Sequence, residues 1–181
     1  MPTYPERIVL RPKVLAESTL MPIGTMVRAM KSVYRQYGID VFVQPREYLT
    51  LSALRDPNVG TCSRAALTSD QLALFAHRND VEPNEIAVYF VRLAIYPGVS
   101  GPIAGCAAHP PGKPSAIVST IATEWTLAHE IGHVLGLQHV NDNTRLMTGN
   151  GTLSIPHPPP PPRLTTNELA TIRASGLLVP T

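Results

Sequence analysis

Three histidines and a glutamate stand at a spacing that suits metal chemistry: the run from 129 to 139 reads His129, Glu130, Ile131, Gly132, His133, Val134, Leu135, Gly136, Leu137, Gln138, His139. Residues four apart on a helix project from one face a turn apart, so His129 and His133 can grip one zinc ion at about 2.0 to 2.1 Å each. Gly136 can adopt positive φ, end the helix and swing the chain so that His139 approaches the same ion from another direction. Three neutral imidazoles leave a fourth position for water, whose pKa the ion lowers to about 7 while it polarises a carbonyl. Glu130 lies beside the first ligand and is the natural base for that water's proton, which it can then pass to a leaving amine. At this chain's own residue frequencies the pattern would arise by chance in about 2 of 10⁵ such chains, so coincidence is set aside.

The elements that must position these groups can be read from periodicity. Ile23, Met26, Val27, Met30, Val33, Tyr34 and Tyr37 repeat at helical spacing up to Gly38. Arg7 to Leu15 reads as a strand, and Pro12 within it suggests an edge position. Val41 to Val43 is a second strand, followed by a polar loop. Thr68 or Ser69 can cap a helix through Ala76, and Ile86 to Ile95 is a largely buried strand. Pro97 to Pro114 is rich in glycine and proline and reads as an exposed loop or irregular edge turning back toward the sheet. Ala116 to Ser119 is a short strand, and Thr123 can cap the histidine-bearing helix, expected to begin before Trp125. Thr165 or Thr166 caps a closing helix that stops at Gly176.

Composition bounds the partners. At 181 residues one domain is the default, and a charged fraction of 15% without a Lys/Arg cluster argues against nucleic acid. No stretch approaches the roughly 20 apolar residues of a membrane span, and no signal peptide is visible in a start broken by Pro2, Pro5 and Pro12. That leaves two readings, a cytoplasmic product or a mature chain whose export signal was removed. Cys62 and Cys106 leave open both a disulfide and a pair of buried thiols.

Beyond the third histidine come Arg145, Leu146, Met147 and Thr148, with Met147 eight residues past His139. Together with the histidine run this resembles the zinc site of the metzincins, in which such a methionine forms a hydrophobic base under the three imidazoles. The spacing is closer to the matrixins than to the adamalysins. Val140 stands where matrixins usually have Ser, astacins Glu and adamalysins Asp, and Gly149 stands where some metzincins place an additional tyrosine ligand. The resemblance is specific over Thr126 to Gly151. It implies an α+β fold with a twisted mixed sheet and helices in an N-terminal subdomain, residues 1–136, a small C-terminal subdomain, residues 137–181, and zinc in the cleft between them.

It also implies a zinc endopeptidase: His129, His133 and His139 as metal ligands, Glu130 as base, Zn²⁺ as cofactor, and a peptide or protein substrate bound by a monomer. Substrate is expected to lie extended against an edge strand, for which Ile103 to His109 is the candidate. The resemblance favours secretion. Rival readings are a zinc amide hydrolase of narrow, non-protein range and a non-catalytic peptide-binding module, against which the intact Glu130 argues. His109 is expected to be an exposed loop histidine rather than a contact for substrate or a second metal, since His77 and His157 show no ligand spacing with it. Pro158, Pro161 and Arg163 fit a PxxPxR docking pattern, although such runs more often serve as stiff connectors, and this one can also wall the substrate pocket. No cysteine is placed to block the metal from an inhibitory pro-segment.

Overall fold

The computed structural model describes residues 3–156 and 160–181. His157 and Pro158, on which part of the proline-run reading rests, lie outside the described residues. A seven-stranded sheet forms the frame, with the path β2-β1-β4-β6-β5, β1 being Glu6–Val14, β2 Ile39–Val43, β4 Ile86–Val91, β5 Gly105–Cys106 and β6 Ser115–Ser119. Two short strands, β3 at Glu47–Tyr48 and β7 at Leu178–Pro180, also pair with β1. Pairings among β1, β2, β3, β4 and β6 are parallel, whereas β5 and β7 run antiparallel to their neighbours, so the sheet is mixed.

Strand β1 lies inside the sheet and not at its edge, contrary to the expectation from Pro12. The geometry shows why. The carbonyls of Leu10 and Val14 accept from Gln44 and Leu49, so even-numbered residues of β1 direct their backbone toward β2 and β3. Pro12 therefore turns its missing N–H toward the gap after β2 ends at Val43 and before β3 begins at Glu47, where no ladder bond is needed.

The two faces of the sheet carry separate cores. One packs Ile8, Leu10, Val88, Phe90 and Val118 against α1 (Ile23–Tyr34) and α3 (Thr126–Val134). The other packs Ala87, Tyr89, Val91 and Ile117 against α2 (Ser69–Phe75) and the loop before it. Alternation of side chains along β4 produces both, because successive residues point to opposite faces, and all six of its residues are buried. Tyr34 ties the two helices together: its hydroxyl, buried and held protonated, donates to the Ala128 carbonyl at 3.0 Å. Thr68 and Thr165 build reciprocal capping boxes with Gln71 and Glu168, starting α2 and the closing helix α4 (Thr166–Ala174).

Strand β4 stops at Val91, short of the predicted Ile95, and α3 starts at Thr126, later than predicted. Thr123 still shapes that entry, since its hydroxyl accepts from the Trp125 N–H at 3.3 Å and its own N–H donates to the Thr126 hydroxyl at 2.8 Å. The loop of residues 97–114 contains the edge strand β5, anchored to β6 by Ser119, whose N–H bonds Ala104 and whose hydroxyl bonds Ile103. Among the described residues no helix is long and apolar enough to cross a membrane.

Candidate metal centre and cleft

Helix α3 presents His129 and His133 on one face, and Gly136, at φ 99°, turns the chain so that His139 comes back over them. The ligand nitrogens of the three lie within 4.8 Å of one another, and no other such cluster occurs among the described residues. The Nε2 atoms of His129 and His133 are 3.2 Å and 2.9 Å from that of His139. Three nitrogens held tetrahedrally by zinc at 2.0 to 2.1 Å would stand roughly 3.3 Å apart, so the spacing fits.

The outer nitrogens set the tautomers. His129 Nδ1 bonds the Leu146 carbonyl at 2.7 Å and His133 Nδ1 bonds the Leu137 carbonyl at 2.9 Å, so each carries its proton there and turns a bare Nε2 inward. Burial pushes the His129 pKa down to about 4 and lowers that of His133 as well, with the neighbouring imidazoles adding to the effect. Both rings are thus neutral at pH 7, the state in which imidazole binds a metal. A donor set of three Nε2 atoms, two of them oriented by backbone carbonyls, is suited to zinc.

Two glycines allow the close approaches that complete the site. Met147 is fully buried, and its Sδ would lie 2.5 Å from a Cβ at Gly132, so the methionine reaches the helix directly between the positions of His129 and His133. A Cβ at Gly105 would stand 2.6 Å from Glu130 Oε1, which places the Glu130 carboxyl flat against the backbone of β5. Burial in that position pushes the Glu130 pKa up to about 8.

The loop beyond His139 is closed on itself. Val140 N–H donates to the Met147 carbonyl at 2.8 Å and Gly149 N–H to the Val140 carbonyl at 2.9 Å. The Asn143 side-chain oxygen accepts from the Thr148 hydroxyl, the Asn150 amide and the Ser154 hydroxyl. A cleft of about 630 Å³ runs past the histidines. At one end it is lined by Thr126 and Thr152, whose hydroxyls are 2.9 Å apart, and at the other by Arg64 and the Gly136 turn.

All four predicted site residues, His129, Glu130, His133 and His139, line this one cleft, as do Ile103 and Gly105 of the predicted edge. His109 does not. It is buried, not exposed as expected, because the segment that follows β5 packs inward, with Ala107 and Ala108 in the two cores; its Nδ1 lies 2.9 Å from the Pro110 carbonyl, and its Nε2 has no hydrogen-bond partner among the described residues. Arg64 and the bridging Asn143 carried no signal at the level of local pattern. Cys62 and Cys106 form a disulfide with Cα atoms 5.7 Å apart, which joins the loop bearing Arg64 to β5.

The fold recurs in other proteins of known structure. Metalloproteinase-II from Bacteroides fragilis matches with a TM-score of 0.66 at 18% identity, over 97% of this chain and 54% of that one. This chain thus spans about half the length of that protein. Archaemetzincin from Methanopyrus kandleri matches with a TM-score of 0.62 at 17% identity, over 93% of this chain and 95% of that one. A zinc-dependent peptidase from Methanocorpusculum labreanum gives 0.55 at 15% identity, over 91% and 99% of the respective chains. No curated protein matches.

The fold matches the frame of those structures, and His129, His133 and His139 are placed to hold one metal ion. The matrixin family model matches residues 60–167, more than half of the sequence, and the chain belongs to the matrixin family, as the spacing to Met147 suggested.

Proposed function

We propose that the chain is an endopeptidase that takes an extended peptide across the cleft and hydrolyses an internal bond, with Glu130 as the general base. The observation that carries this reading is the extent of the cleft: its lining takes in Glu130 and the three histidines together with Thr126 at the start of α3 and Arg64, bonded to the His133 carbonyl, at its end. A peptide can therefore extend on either side of the reacting bond.

Bound by His129, His133 and His139, zinc would supply Lewis acidity, polarising the scissile carbonyl and lowering the pKa of a water to about 7. With zinc held beside it to favour the charged carboxylate against the burial that raises its pKa, Glu130 accepts the proton of the attacking water and delivers it to the leaving nitrogen, so one carboxyl serves as base and then as acid. The backbone of Gly105 fixes that carboxyl in place, and a fixed group needs no reorganisation at the moment of reaction. Among the described residues strand β5 pairs with β6 on one side only, so its outer edge is available to pair with substrate backbone, and this is the role proposed for the segment Ile103 to His109. Neutral lining from Ala104, Ala107 and Ala108 keeps the approach apolar.

Mass-spectrometric profiling of a peptide library, with and without a zinc chelator, tests the proposal. Internal fragments that vanish with chelation are expected. Release of single terminal residues alone would contradict the endopeptidase reading.

A further inference from the structure

We infer that Arg64 is a specificity-determining residue that selects an acidic side chain in the substrate; the inference rests on the peptidase reading of the same cleft. Arg64 comes from the loop on the sheet face opposite α3, yet its guanidinium reaches around the edge strand and donates to the His133 carbonyl at 3.0 Å. That carbonyl lies in the last turn of α3, whose carbonyl end carries partial negative charge and draws a cation. One N–H of the five on a guanidinium is used there, which leaves others for a ligand, and Arg64 forms part of the cleft lining.

Three observations make this a recognition site and not a stray surface charge. Arg64 has no carboxylate partner among the described residues. Among the described residues Arg64 is the one Lys or Arg in the lining, and the one carboxylate there, Glu130, sits deep against Gly105, so apart from the zinc that the histidines would hold Arg64 is the positive charge a bound peptide meets along the cleft. The disulfide from Cys62, two residues away, to Cys106 in β5 fixes the distance between the guanidinium and the strand on which the peptide would lie. A carboxylate on the substrate at the α3 C-terminal end of the cleft would accept one or two of the free N–H groups, a charge-assisted and planar pairing that ammonium geometry cannot reproduce. Thr126 and Thr152 at the far end offer hydroxyls only, so the acidic preference falls on one side of the scissile bond.

The test uses peptide sets that differ only in Glu, Gln or Lys at each position around one cleaved bond, with wild type, Arg64→Ala, Arg64→Lys and Arg64→Glu. Wild type should prefer Glu over Gln at one position by roughly tenfold in kcat/KM, expressed mainly in KM and weakening as salt is added. Arg64→Ala should bring that ratio near one, Arg64→Lys should leave an intermediate ratio, and Arg64→Glu should favour Lys. Replacing both cysteines with serine should also erode the ratio, because the loop is then untethered, and circular dichroism checks that each variant is folded. Equal Glu and Gln ratios in wild type and Arg64→Ala, with peptides still cleaved, would overturn the role of Arg64 alone. Wild type that cleaves none of the peptides would instead overturn the peptidase reading beneath it.

Discussion

Gly105 sets how closely the edge strand can approach the Glu130 carboxyl. A methyl group there would fall 2.6 Å from Glu130 Oε1, so Gly105→Ala must displace either the carboxyl or the strand. Displacement of about 1 Å at a reacting group can cost on the order of 10²-fold in rate. We expect Gly105→Ala to lose that much in kcat while binding zinc normally, as read by steady-state kinetics beside metal analysis; wild-type kcat would show that the contact has no role. At this scale the histidines and Glu130 were legible in the sequence, because a four-residue step on a helix is dictated by helix geometry alone. Gly105 and Arg64 were not, since their roles arise from approaches between segments 25 and 69 residues apart in sequence, respectively Gly105 to Glu130 and Arg64 to His133. The burial of His109 was hidden for a similar reason: a loop-like composition says nothing of the cores into which the neighbouring Ala107 and Ala108 pack.

Elements were legible where the local code was strong. The period of α1, the Thr68 and Thr165 caps, and the stop at Gly136 all follow from contacts within a few residues. The interior position of β1 was hidden, because the interruption that accommodates Pro12 belongs to β2 and β3. Glu85 joins three of these elements, bonding Arg11 of β1, Gln44 after β2 and the Glu82 N–H just before β4. Burial raises its pKa, but these bonds outweigh that effect and leave the carboxyl below its ordinary value. A depressed folded pKa contributes stability that is present above the unfolded value, about 4.3, and lost as pH falls through the folded one. Glu85→Gln should therefore cost roughly 1 to 2 kcal/mol at pH 7 and progressively less on acidification below about 4. Denaturant midpoints across pH measure this, and a deficit that grew toward acid would contradict it.

Across the whole molecule, the cleft depends on parts that the chain brings together from both faces of the sheet. The disulfide between Cys62 and Cys106 closes a loop with a sequence separation of 44 and fastens the outer loop to the edge strand. Chain-entropy arguments put its contribution at about 4 kcal/mol, so the Cys62→Ser, Cys106→Ser double variant should unfold at markedly lower denaturant concentration. A midpoint close to wild type would show that packing alone holds the loop. The central claim is that peptide hydrolysis at the three-histidine zinc site depends on Glu130 as base. Glu130→Gln keeps the shape and the ligands but removes the proton acceptor, so the decisive measurement is its kcat/KM together with its zinc content. The account predicts a fall of about 10² to 10⁴ in turnover with one zinc retained per chain; a variant that kept most of the wild-type activity at full zinc content would contradict it.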